Sequence, residues 1–155
     1  MILIDTSAWV EYFRATGSIA AVEVRRLLSE EAARIAMCEP IAMEILSGAL
    51  DDNTHTTLER LVNGLPSLNV DDAIDFRAAA GIYRAARRAG ETVRSINDCL
   101  IAALAIRHGA RIVHRDADFD VIARITNLQA ASFREHAAPA SGRLRSPQYR
   151  KRIRC

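Results

Sequence analysis

The sequence predicts an α/β fold with a central, mostly parallel sheet covered by helices on both faces. Three observations lead there. Short, continuous apolar runs alternate with amphipathic helical stretches along the 155 residues, which is the pattern of successive βα units. Runs such as Ile2-Leu3-Ile4 and Arg111-Ile112-Val113-His114 lack the strict apolar–polar alternation of a one-sided sheet, so both of their faces should be buried. Acidic residues follow two of these runs closely, Asp5 and Asp116, and parallel sheets gather ligands at the carboxyl ends of their strands.

Each element has a local reason. Ile2–Ile4 reads as a buried strand ending at Asp5. Residues 6–14 read as a helix with Trp9, Val10 and Phe13 on one side, and residues 19–32 as a second amphipathic helix. Residues 34–37 form a second strand. Pro40 suits a first helical turn and opens a helix to Leu50 that Gly48 weakens. Residues 54–63 make a short helix, 67–70 a candidate strand, and 72–89 a long helix stopped by Gly90. Ser95 opens a strongly apolar helix that stops at Gly109. Residues 111–114 are a strand, a short helix follows Ala117, and residues 128–132 supply a last strand.

Composition narrows the class. Half the residues are hydrophobic but only 5% are aromatic, so Ala, Leu, Ile and Val must fill the core. No apolar run approaches the roughly 18 residues of a membrane span. The apolar start has no basic region before it and is too short for a signal peptide. A soluble cytoplasmic protein is expected, with no membrane partner. Cys38, Cys99 and Cys155 show neither a disulfide framework nor a zinc spacing. The net charge of +2 is uneven. Residues 137–155 carry six basic residues and no acid, which leaves 15 basic against 19 acidic residues elsewhere, a net of −4. One folded domain over residues 1–136 and a basic, flexible tail over 137–155 are expected. The single lysine, Lys151, lies in that tail.

Four acidic residues stand out: Asp5, Glu44, Asp98 and Asp116. Asp5 and Asp116 fall just past strands, where the sheet would turn both toward one cleft. Asp98 opens the apolar helix. Glu44 shares a helix face with Gly48, outside an apolar arc of about 200°. Clustered carboxylates raise one another's pKa values until a cation binds. Mg²⁺ and Mn²⁺ favour such oxygen ligands and activate water toward phosphodiesters. Each acid also has a structural explanation. Asp5 can cap a helix, although Thr6 or Ser7 could do so instead and free it. Ser95 and Asp98 have the spacing of a capping box. Glu44 can be a solvated face residue, and Asp116, Asp118 and Asp120 a solvated loop. His114 reads as a structural residue at a strand end.

Four segments, in order, carry a family resemblance. They are Ile2-Leu3-Ile4-Asp5-Thr6-Ser7, Met43-Glu44 with Gly48, Arg94-Ser95-Ile96-Asn97-Asp98 with Leu100-Ile101-Ala102-Ala103, and His114-Arg115-Asp116-Ala117-Asp118-Phe119. Over residues 1–133 the chain resembles the PIN-domain family, specifically the VapC toxins of bacterial toxin–antitoxin pairs. The resemblance implies a three-layer α/β/α sandwich and Mg²⁺- or Mn²⁺-dependent RNA cleavage. It implies metal binding and catalysis by Asp5, Glu44, Asp98 and Asp116, with Asp118 as an optional fifth ligand and Thr6 or Ser7 orienting the site. It also implies a homodimer and a small VapB-like antitoxin whose basic side chain enters the acidic pocket. Arg94 is a candidate RNA-phosphate contact, and Arg87 and Arg88, beside Arg84, a candidate guide for RNA. Transfer RNA, a ribosomal loop and a message all remain as substrates.

Rival phosphate chemistries fail on the residues. A haloacid dehalogenase-type phosphatase needs an acid two positions after Asp5, where Ser7 stands, and a core lysine. A receiver domain lacks the same lysine, and no Gly-rich loop ending in Lys-Ser or Lys-Thr exists for a P-loop enzyme. A non-catalytic RNA-binding module on the same fold is the alternative.

Overall fold

Four short strands are paired side by side, all parallel, in the order β2-β1-β3-β4. The computed structural model describes residues 1–135, so the expected basic tail at 137–155 lies outside the described residues. The strands are β1 (Ile2–Ile4), β2 (Ile35–Ala36), β3 (Arg111–His114) and β4 (Gln129–Ser132). The helices are α1 (Thr6–Phe13), α2 (Ile19–Glu30), α3 (Glu39–Ser47), α4 (Asp52–Asn63), α5 (Asp75–Arg88), α6 (Ile96–His108) and α7 (Ala117–Ile125). This is the expected α/β architecture.

The strand order fixes where a ligand can sit. β1 is central, with Ile2 opposite Ile35 on one side and Ile4 opposite Val113 on the other. The chain leaves β1 toward β2, then returns across β1 to β3 and moves on to β4. Right-handed crossovers therefore send α1 and α2 over one face and α6 and α7 over the other. The packing agrees: α1 lies on α2, while α5, α6 and α7 contact one another. The direction of winding reverses between β1 and β3. Their carboxyl ends form the crevice that doubly wound sheets use for ligands.

Burial explains the stability of so small a sheet. All of β1 is buried, and so are Ile112, Val113 and His114 of β3. Seven residues of α6 are buried, from Asp98 to Ala105. Trp9, stacked on Phe13 with centroids 5.4 Å apart, and Phe119 are the largest fully buried side chains. Each such apolar residue contributes about 1.5–3 kcal/mol. α6 ends where Gly109 takes φ +61°, the left-handed C-terminal conformation that glycine adopts without strain.

Two expectations are corrected. The candidate strand at 67–70 shrinks to one bridge, Met37 with Ser67. Pro66 has no N–H to extend the ladder, and the Asn69 carbonyl is taken by Arg107 and His108 of α6. The long helix opens at Asp75, not Asp72. The Asp71 carboxylate accepts from the backbone of Ala73 and Ile74, while Asp75 accepts from the N–H of Asp71. This closed turn holds residues 71–74 outside the helix.

Candidate active site

β1 ends at Asp5, whose N–H donates to the Val113 carbonyl at 2.9 Å and so ties it to the end of β3. Asp5 is 4% exposed and caps α1 itself. Its Oδ2 accepts from the Ser7 N–H at 2.9 Å and the Ser7 hydroxyl at 2.5 Å. The expectation that Thr6 or Ser7 would cap in its place is therefore corrected. Thr6 turns elsewhere, and the Ser7 oxygen also accepts from the Arg115 N–H at 2.9 Å. Ser7 thus links the carboxyl ends of β1 and β3. Burial, opposed by the Ser7 bonds, pushes the Asp5 carboxyl up to about 6.

Glu44 lies half-buried on α3, which packs against α1 and α6. The Thr6 hydroxyl donates to its Oε2 at 2.6 Å, and the Asn97 amide donates to its Oε1 at 2.6 Å. Helical periodicity placed Glu44 on the polar side of α3, which is right. The cleft rather than open solvent receives that side. Asn97 is a site residue that the sequence pattern does not single out. Its only signal was adjacency to Asp98, because a neutral amide in a first helical turn suggests nothing about a partner 53 residues away.

The capping-box reading of Asp98 is half met. Ser95 caps α6 by accepting from the Asp98 N–H at 3.3 Å. The return bond is missing, because the Ser95 N–H donates to Asp118 at 3.0 Å instead. The Asp98 carboxylate, on a residue 8% exposed, accepts no protein hydrogen bond among the described residues. Burial, followed by the charges of Asp5, Asp116, Asp118 and Glu44, pushes it up to about 7.

β3 ends at His114, whose Nδ1 bonds the Asp116 carbonyl at 2.8 Å. Burial lowers the His114 pKa, which keeps the ring neutral and fits the expected structural role. Asp116 caps α7 by accepting from the Asp118 N–H at 2.9 Å. The same oxygen accepts from Arg94 Nη2 at 2.5 Å. Asp118 is buried, and its carboxylate accepts from the Arg94 N–H, the Ser95 N–H and Arg94 Nε at 2.6, 3.0 and 3.0 Å. It staples the 94–95 segment to α7. Asp120 is not free in solvent: it pairs with Arg134 at 2.9 Å.

One cleft of about 300 Å³ is lined by Asp5, Thr6, Ser7, Glu44, Arg94, Ser95, Asp98, Asp116 and Asp118. Oxygens of Asp98, Asp116 and Asp118 lie within 4.8 Å of one another. A larger hollow of about 690 Å³ opens beside Asp120, Arg124 and Arg134, but no such set of carboxylates converges there. Arg87 and Arg88, expected as RNA guides, are exposed in the last turn of α5 and line none of the cleft. The donor set is entirely oxygen, and one of its carboxylates is buried without a hydrogen-bond donor. Those two properties suit a hard divalent cation.

The comparisons agree with this geometry. The chain is 34% identical to Ribonuclease VapC51 of Mycobacterium tuberculosis over 98 residues, 62% of this chain and 69% of that protein. It is 31% identical to Ribonuclease VapC18 of the same organism over 125 residues, 79% of this chain and 88% of that protein. Among solved structures, the DNA-bound VapBC from Salmonella typhimurium shares the fold with a TM-score of 0.65 at 18% identity, covering 85% of this chain and 97% of that one. The sequence profile of the PIN domain matches residues 2–125. The chain belongs to the PIN-domain family.

Proposed function

We propose that this chain is a divalent-cation-dependent endoribonuclease, the toxin of a type II toxin–antitoxin pair. The observation that carries the reading is the convergence of four acids from β1, α3, α6 and the β3–α7 turn at the point where the sheet reverses its winding. The likeness to proteins named Ribonuclease VapC supports RNA as the substrate class.

Asp5, Asp98 and Asp116 would hold Mg²⁺ or Mn²⁺, with Glu44 beside them. The cation would supply charge neutralisation and an activated water for phosphodiester hydrolysis. The chain's own residues do the positioning. Thr6 and Asn97 hold the two oxygens of Glu44, and Ser7 orients Asp5. Asp118 is satisfied by Arg94 and Ser95 and acts as a staple before it acts as a ligand. Burial of Asp5 and Asp98 makes their charge expensive until a cation is near. The likeness to proteins named VapC and to VapBC structures supports a VapB-like antitoxin partner, and a homodimer belongs to the same proposal. No helix among the described residues is long and apolar enough to cross a membrane.

Mapping cleaved ends in total RNA with added Mg²⁺ or Mn²⁺ tests this reading. Discrete new ends that vanish with chelator and in an Asp5→Asn variant are expected. The same ends in Asp5→Asn protein, or RNA binding without any new ends, would overturn it in favour of a contaminating nuclease or a binding module.

A further inference from the structure

The cleft contains one base among five acids. Arg94 reaches it from the segment before α6, and its side chain is 66% exposed. Two of its groups are fixed: the backbone N–H and Nε both donate to the buried Asp118. The outer nitrogen Nη2 alone reaches across to Asp116 Oδ1. Asp116 is one of three acids, with Asp98 and Asp118, that bring oxygens within 4.8 Å of one another, so Nη2 holds a carboxylate that a cation in the cleft would use. Arginine is therefore tethered at its inner end and free to exchange its partner at the outer end.

We propose that Arg94 is a tethered cation that competes with the divalent ion for Asp116 and, once displaced, binds a phosphate of the RNA. This rests on the nuclease reading of the cleft. Two positive charges on one carboxylate repel each other and divide its charge, so occupancy of Asp116 by the metal weakens the hold of Nη2 and favours its release. The Asp118 tether keeps the displaced guanidinium at the mouth of the cleft. A planar, always-charged fork with free N–H groups is suited to a phosphate diester. It also answers a problem of the site, since a cleft of carboxylates repels the backbone it must receive. Arg94 is the only base lining that cleft among the described residues.

The signature is a pair of effects of opposite sign. Mn²⁺ titration of the full-length, RNA-free protein should show Arg94→Gln binding the ion roughly two- to five-fold more tightly than wild type, the scale of one exposed ion pair. At saturating Mn²⁺ the same variant should cleave RNA at least about ten-fold less efficiently, the scale of one charge-assisted contact. Arg94→Lys should keep near-wild-type ion affinity yet recover only part of the cleavage, because it has charge without the fork. Arg115→Gln is the control: Arg115 flanks Asp116 but pairs with Glu11 at 2.8 Å, and its loss should change ion affinity less. Gln at position 94 leaves both backbone bonds to Asp118 in place, so the fold should persist. Unchanged or weaker ion binding in Arg94→Gln, or an equal gain in Arg115→Gln, overturns the competition. Undiminished cleavage overturns the phosphate contact. Absence of metal-dependent cleavage in wild type instead defeats the nuclease reading, while the ion titration still decides the competition.

Discussion

Asp75 and Asp98 each lie in the first turn of a helix, as its first and third residue, and both are buried. Their surroundings are opposite. Asp75 has no exposed surface, and its carboxylate accepts from Arg107 Nε at 2.8 Å, Arg107 Nη2 at 2.7 Å and the Asp71 N–H at 2.7 Å. Arg107 holds it below its ordinary pKa. Asp98 has no such partner and is pushed up to about 7 by burial and neighbouring acids. One buried acid fastens α5 to α6 and the 69–71 segment. The other is an unfavourable charge held ready at the sheet's ligand crevice. Burial alone does not distinguish a structural carboxylate from a functional one; the fate of its lone pairs does.

The largest effect should come from Asp98→Asn. The amide keeps the volume and removes the charge that a cation would need. Cleavage per folded molecule should fall by about 10³-fold or more, a loss typical of removing charge at a reacting centre. The metal-free variant should be at least as stable as wild type, since it relieves repulsion among the acids. Activity assays beside thermal melts check both, and retained cleavage would remove Asp98 from the site.

Asp75→Ala should invert that pattern. It strips the Arg107 guanidinium, whose side chain is 30% exposed, of its carboxylate partner. A stability loss of about 2–4 kcal/mol is expected, below the ~3–5 kcal/mol of a fully buried pair because the orphaned Arg107 keeps some contact with water. Cleavage per folded molecule should stay near wild type. Denaturant melts with active-fraction correction separate the two. A specific activity loss without destabilisation would mean that α5 and α6 feed the cleft in some other way.

The sequence made one half of this comparison legible and concealed the other. Asp5 and Asp116 could be read from strand ends, because parallel topology alone sends those positions to one crevice. Glu44 and Asp98 required the ordered family pattern, since periodicity and capping explained each of them separately. Asp98 was freed from its capping box only by Asp118 taking the Ser95 N–H, a contact across 23 residues that spacing cannot reveal. Asp75 is placed like any acid within the helix predicted to begin at Asp72. Its burial depends on Arg107, 32 residues later. The short candidate strand at 67–70 misled for a similar reason: its carbonyl at Asn69 is claimed by α6.

A pH series sharpens the comparison further. For Asp98, with an ordinary value of 3.8 raised to about 7, the folded protein holds more protons than the unfolded chain between about pH 4 and 7. Stability from this group is therefore lost as pH rises through that window. Asp5, raised to about 6, acts in the same direction over a narrower range. His114, lowered by burial, acts oppositely below about 6.5. Asp75, lowered by Arg107, titrates below this window. Comparing wild type with Asp98→Asn cancels most of the shared groups. In chelator, wild type should lose about 2–3 kcal/mol relative to the variant between pH 5 and pH 8. Parallel curves would mean that Asp98 is not the strained charge.

The smallest expected effect tests whether Glu44 belongs with the strained acids or the satisfied ones. Both of its oxygens are bonded, by Thr6 and Asn97, yet neither donor is charged. The clamp fixes the direction of Glu44 without setting a countercharge against it. Asn97→Ala should cost stability about 1 kcal/mol, below the ~1.5–3 kcal/mol of a buried bond to a carboxylate, because both residues are only part-buried and water can replace the amide. Its effect on Mn²⁺ affinity or cleavage should be larger, about ten-fold, as for other groups that orient a ligand from behind. Asn97→Asp should be worse than Asn97→Ala in both readouts, although it is closer in shape, because it sets an anionic oxygen against Glu44. If the aspartate variant instead matches wild type, Asn97 is a packing residue, and Glu44 is held by Thr6 and its own helix.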